Sequence, residues 1–248
     1  MSTKEKVAFI TGGNRGLGFE TALQLGKKGV KVVIGSRDPK KGEEAVRKLA
    51  MLGAEVQTIT FDVTNPGDHR AALSYFEKNF GKLDILVNNA GVLLDTADPT
   101  DVASILTLSM QKLRDTFESN FFSPVALTQM LIPLLRKSDG GRSVNLSSIL
   151  GSLALHADPQ SPIYEMKHFA YDASKTALNA FTISLAYELR NTKIKVNSAH
   201  PGWVKTDMGG SQAQLELSEG GKTSTQLALL PEDGPTGGFF HMGDALPW

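Results

Sequence analysis

Cysteine is absent from the 248-residue chain, which excludes disulfides, thiolate zinc sites and cysteine nucleophiles. An excess of either charge is absent too. Lys+Arg and Asp+Glu both total 26, so electrostatics offers no argument for nucleic acid or an anionic membrane as a partner. No uncharged apolar run reaches the ~20 residues of a membrane span. The opening MSTKEKVAFITGG sets charges before a short apolar run that ends in glycines, which reads as a buried strand and not as a secretory segment. His69, His156, His168, His200 and His241 are scattered without metal-ligand spacing, so no metal is expected. The expectation is a soluble cytoplasmic protein. Its 41% apolar and 21% charged residues are enough for a large core.

What is present alternates. Short β-branched runs at residues 7–11, 30–36, 56–62, 83–89, 143–148 and 194–199 are separated by helical patterns. Those patterns start at residues 16, 39 and 66, lie within 109–136, and run on from Tyr171; a last short strand is expected near 237–241. Continuous apolar strands between helices indicate a parallel sheet covered on both faces. No repeat, low-complexity tract or linker divides the chain. One doubly wound Rossmann-type α/β domain over residues 1–248, with a seven-stranded parallel sheet, is expected. In such a sheet ligands bind beyond the carboxyl ends of the strands. The strands end in TGGNRGLG, GSRD, FDVT, NNAG, LSS and HPGWVKTD, six small or polar clusters along one edge.

TGGNRGLG follows the first strand. Gly12, Gly16 and Gly18 allow a tight turn close to a pyrophosphate, and the helix after them points its amides at the anion. Asn14, Arg15 and Leu17 belong to the same loop. A Walker loop would need Gly-Lys-Ser/Thr, but Phe19 and Glu20 follow Gly18. At the second strand end, Asp38-Pro39 is a helix cap and first helical proline. Ser36 and Arg37 are then left to meet a 2′-phosphate, with Arg15 assisting, unless both arginines are merely solvated. Asp62, beside Val63, either accepts from an adenine amino group or caps the next helix. The expected cofactor is NADP(H).

YDASK, residues 171–175, sets a tyrosine and a lysine four apart on one helix face. Together with TGGNRGLG, NNAG, Asn120, NLSS and PGWVKTD in that order, it makes the chain resemble the short-chain dehydrogenase/reductase family over nearly its whole length. The resemblance implies hydride transfer between a nicotinamide and a small carbonyl or alcohol. It implies Tyr171 as acid/base and Lys175 as holder of the ribose that lowers the tyrosine pKa. Ser148 would orient the substrate oxygen, and Asn120 would support a water linking Lys175 to solvent. Asn88, Asn89, Ala90 and Gly91 would wall the adenosine side; Pro201, Gly202, Val204 and Thr206 would frame the nicotinamide. The physics agrees: a carbonyl becomes an alkoxide as hydride arrives, and a positioned donor lowers that barrier. Ser147 should point away from the face that Ser148 uses.

Two segments depart from the compact oligomeric members. LHADPQSPIYEMKHFA, residues 155–170, is longer than theirs, as in the carbonyl reductase-like branch. The ending GGFFHMGDALPW resembles that of bacterial members related to a developmental signalling factor. The apolar insertion is expected to cover the outer face of the YDASK helix, wall the substrate pocket, or both, and a monomer is favoured over a homodimer. Residues 207–222 are expected to form a mobile lid. A nucleotide-sensing or signalling protein with incidental turnover is the alternative function, though a sensor need not keep Asn120, Ser148, Tyr171 and Lys175 together. A sugar epimerase or dehydratase is a third; the glycine spacing and the lack of a sizeable C-terminal domain argue against it.

Overall fold

The computed structural model describes residues 5–96 and 104–248. Residues 1–4 of the opening stretch and 97–103 of the loop expected after the fourth strand lie outside the described residues. Strands β1 (Val7–Thr11), β2 (Lys31–Ser36) and β3 (Val56–Thr60) alternate with helices α1 (Gly16–Lys27), α2 (Pro39–Met51) and α3 (Pro66–Asn79). There follow β4 (Ile85–Asn88), α4 (Met110–Phe117), α5 (Ser123–Leu135), β5 (Arg142–Leu146), α6 (Leu153–Ala157) and α7 (Phe169–Glu188). The described chain finishes with β6 (Lys195–Ala199), α8 (Leu217–Ala228), β7 (Phe239–His241) and β8 (Asp244–Ala245).

The sheet order is β3-β2-β1-β4-β5-β6-β7-β8. The chain first builds outward from β1 to β3 and then in the other direction from β4, so the crevice between β1 and β4 is the switch point where this architecture binds ligands. Side chains alternate along each strand. Ala8 and Ile10 pack with Leu25, Leu49 and Leu227 on one face. Val7 and Phe9 pack with Phe61, Phe76 and Leu131 on the other.

The sheet has eight strands, not the expected seven. The first seven run parallel, and β8 returns antiparallel to β7. Met242 and Gly243 join them with φ of 47° and 100°, the left-handed pair that a two-residue hairpin turn requires. A two-residue strand is too short for a readable periodicity. The helix expected within 109–136 is interrupted. Between α4 and α5 the chain makes one π-helical turn over Glu118–Phe122.

The insertion before Tyr171 takes one of its two expected roles. Leu155, Ile163 and Met166 of the insertion pack around Tyr171 and Leu150, which is the pocket-wall role. The outer face of α7 is not covered: Ile183 and Tyr187 remain 44% and 64% exposed. The shielding argued for a monomer is therefore not there, because the segment turns toward the open end of the sheet and does not run along the helix. The lid reading also changes. Residues 217–222 are the first turns of α8, closed by a capping box between Glu216 and Glu219. A Cβ on Gly220 would fall 2.6 Å from Leu17 Cδ2 and from Val204 Cγ2. The glycine pair is there for close packing of α8 on α1, not as a hinge.

Candidate active site

A cavity of about 520 Å³ runs along the carboxyl ends of β1, β4, β5 and β6. At one end lies the glycine turn, with Gly12, Asn14, Arg15, Gly16 and Leu17 lining the wall. Gly12 has φ of +64°, and a Cβ there would sit 3.2 Å from Ala90. Helix α1 starts without a capping side chain and with no acidic residue in its first turn. Its open amides and positive dipole end are the form of an anion site. Gly18 does not line the cavity. It presses on Asn89, where a Cβ would come within 2.5 Å of the Nδ2 atom, and Asn89 in turn donates to Thr11 O at 2.7 Å.

Arg37 is exposed and lines the cavity with Asp62 and Val63. Ser36 is buried and donates to Asp38 O at 2.8 Å, so it shapes the turn and does not face the cavity. Asp38 caps α2 by accepting from Lys40 N and Lys41 N. Asp62 is not a helix cap: Asn65 caps α3, while Asp62 accepts from the amide and hydroxyl of Thr64. Arg15 pairs with Asp207 at 2.6 Å across the cleft mouth, with both side chains largely exposed.

Farther along stand Ser148, Tyr171 and Lys175; Asn89, Ala90 and Gly91, and Pro201, Gly202, Val204 and Thr206, also line the cavity. Lys175 Nζ donates to Leu146 O at 2.7 Å and lies 5.5 Å from the centroid of the Tyr171 ring. A Cβ on Gly91 would come within 3.2 Å of Asn120 Oδ1 and 3.5 Å of Lys175 Nζ, so a side chain there would press on Asn120. Asn120 sits in the π turn, fully buried. It accepts from Val92 N and donates to Val92 O and Ser174 Oγ, tying the end of β4 to α7. Asn88 departs from expectation. It is buried away from the cavity, donating to Thr128 and Asn145, because the last residue of a strand covered on both faces points into one of them. Ser147 also borders the cavity, but its Oγ is buried without a hydrogen-bond partner.

Burial sets the charges here. Tyr171 is pushed up to about 12, chiefly by desolvation and further by Asp172, with Ser148 pulling the other way. Lys175 is pulled down to about 8 by desolvation. In this structure the Lys175 ammonium donates to the Leu146 carbonyl, and burial is the largest influence on the phenol. Tyr171 is a neutral phenol at neutral pH, the form that donates a proton.

The residues 6–216 match the family model described as short chain dehydrogenase. The chain belongs to this family. Salutaridine reductase of Papaver somniferum is 33% identical, with 98% of this chain and 96% of the relative covered. Carbonyl reductase [NADPH] 1 of Mus musculus is 31% identical with both chains fully covered. Among solved structures, an NADPH-bound carbonyl reductase from chicken fatty liver superimposes with a TM-score of 0.84 at 26% identity, covering 98% of this chain and 99% of that one. No helix among the described residues is long and apolar enough to cross a membrane.

Sequence reading missed two acids and a histidine of this short-chain dehydrogenase. Helix α7 has no capping side chain of its own at His168. Asp95, from the loop after β4, supplies it: its carboxylate accepts from Ala170 N at 2.8 Å and Tyr171 N at 3.2 Å. Asp172 accepts from His168 N at 2.9 Å and is raised to about 8, first by burial and also by Asp95. His200, noted only for its lack of metal spacing, accepts from Ile149 N at 3.1 Å. The missing cap at His168 was the one readable sign, since a buried helix start requires an acceptor from somewhere.

Proposed function

We propose that this short-chain dehydrogenase reduces a ketone, aldehyde or quinone to the alcohol with NADPH, using Tyr171, Ser148, Lys175 and Asn120. One observation carries the reading: a single cavity has an open helix start and Arg37 at one end and the Ser148–Tyr171–Lys175 group at the other. The glycine turn and α1 amides fit a pyrophosphate, and Arg37 fits a 2′-phosphate. NADPH, when bound, supplies the hydride.

The chain's own groups do the rest. Ser148 holds and polarises the carbonyl oxygen, and Tyr171 gives its proton to that oxygen as negative charge develops. Lys175, a cation below about pH 8, stabilises the charge left on the phenol and holds the ribose. Asn120 keeps β4 and α7 at fixed separation behind Lys175, where the water-supporting role places it. Leu93, Leu150, Met166 and Trp203 at this end favour an apolar substrate body.

The test is NADPH absorbance followed over a panel of ketones, aldehydes and quinones, with NADH in parallel. Turnover with NADPH preferred is the expected result. Binding of NADPH without turnover of any carbonyl would instead support the sensing reading.

A further inference from the structure

We infer that His200 is a positioning residue for Ser148, holding the turn that carries the serine through one hydrogen bond to the Ile149 amide. The inference rests on the reductase reading, in which Ser148 orients the substrate oxygen.

The need for such a residue follows from where the sheet stops. The β5–β6 ladder ends with Leu146 opposite Ala199, and Ser147 N donates to Ala199 O at 2.9 Å as the last link. Beyond it the two chains part. Ser148 then caps a short 3-10 turn, Ile149–Gly151, accepting from Leu150 N at 3.2 Å. That leaves the Ile149 amide, the first of the turn, without a partner on its own segment. The His200 ring bridges the gap, and its Nδ1 accepts this amide at 3.1 Å. Without that acceptor the Ile149 amide has no hydrogen-bond partner, and the turn that carries Ser148 loses its tie to the end of β6.

The ring is itself fixed. His200 N donates to Phe240 O at 2.8 Å, His241 Nδ1 donates back to His200 O at 3.0 Å, and the two rings lie 4.9 Å apart. Burial first, and the His241 neighbour second, lower its pKa to about 3. The imidazole therefore stays neutral, with Nδ1 as acceptor and the proton on Nε2, throughout the working pH range. Pro201 and Gly202, which follow it directly, line the opposite wall of the cavity. One buried ring thus sets the serine relative to the loop across from it, a supporting contact of the kind that fixes reacting geometry.

Three variants separate this role from simple packing. His200→Leu keeps the bulk and removes the acceptor. His200→Asn returns an oxygen at the reach of Nδ1. Ser148→Ala removes the group being positioned. Hydrogen exchange of the peptide containing Ile149 reads the contact without any turnover; it should quicken in His200→Leu and return toward wild type in His200→Asn. Calorimetric NADPH affinity should change by less than ~3-fold in both, since neither alters the glycine turn or Arg37. In turnover, His200→Leu should lose ~10- to 100-fold in kcat, the scale of a small misplacement at a reacting centre, and His200→Asn should recover most of it. Placed in the Ser148→Ala background, His200→Leu should cost little more, because the two act as one unit. Unchanged exchange at Ile149, or losses that simply multiply with Ser148→Ala, would overturn the inference. Should the leucine protein fail to fold, His200→Gln, whose amide oxygen lies one bond too far, takes its place with the same expected outcomes. Wild-type turnover and the Ser148→Ala loss test the reductase reading separately, and the exchange measurement stands even if that reading fails.

Discussion

Helices α2 and α7 begin with the same requirement and meet it in opposite ways. Each start has amides that need an acceptor. For α2 the acceptor is Asp38, the residue just before Pro39, two and three positions from the amides that it takes. For α7 it is Asp95, 75 and 76 positions away on the loop that leaves β4. The local cap supports a helix beside the expected phosphate end. The remote cap holds the amide of Tyr171 itself. The helix cap beside the proposed dinucleotide half thus follows a short-range rule, whereas the cap beside the proposed catalytic half comes from a loop that only the closed sheet brings to the helix.

The largest effect should come from the catalytic half. Tyr171→Phe keeps the ring and removes the proton donor, so kcat should fall ~10²-fold or more while NADPH affinity measured by calorimetry stays near wild type. Wild-type turnover by this variant would remove the chemical asymmetry between the halves altogether.

Arg37→Asp probes the other half. It replaces a charge-assisted contact by repulsion, and should raise the NADPH Kd ~10-fold or more while leaving NADH affinity comparatively unaffected. Equal weakening for both nucleotides would show that Arg37 does not read the 2′-phosphate.

The two caps sharpen the comparison directly. Asp95→Ala should lower stability by ~1–2 kcal/mol and kcat as well, with Asp95→Asn restoring part of both. Asp38→Ala should cost a similar ~1 kcal/mol in urea unfolding and leave kcat alone. If both alanine variants lose stability and neither loses kcat, the remote cap is no more than a structural one.

The effect farthest from the chemistry concerns Asp172. Its folded-state pKa, about 8, lies above the ordinary carboxylate value of ~4, so the folded protein holds a proton that the unfolded chain has released between those values. The stability this provides is full below about pH 4 and is lost as pH rises through about 8. Asp172→Asn should therefore gain on wild type by ~1 kcal/mol or more between pH 5 and pH 9, read from urea midpoints. A difference that does not change with pH would mean that the carboxyl is already ionised in the fold.

The amino-acid sequence alone determined the alternating strands and helices, the single-sheet plan, the glycine turn, the Asp38 cap and the tyrosine–lysine spacing. Each rests on periodicity or on residues within a few positions of one another, where propensity and sterics act without help from the rest of the chain. It also located Ser148, Asn120 and PGWVKTD, because their order matched a known pattern, but it did not show what holds them. The π turn around Asn120, the burial of Asn88, the packing role of Gly220, the return strand β8 and the open outer face of α7 were decided by tertiary structure. So were the contacts of Asp95 to α7 and of His200 to Ile149. Their partners are dozens of residues apart, and a buried amide is satisfied by whichever acceptor the completed sheet delivers. The environment of Tyr171 belongs with these: four-residue spacing places a lysine beside it, but how far the phenol is desolvated depends on everything packed around the site.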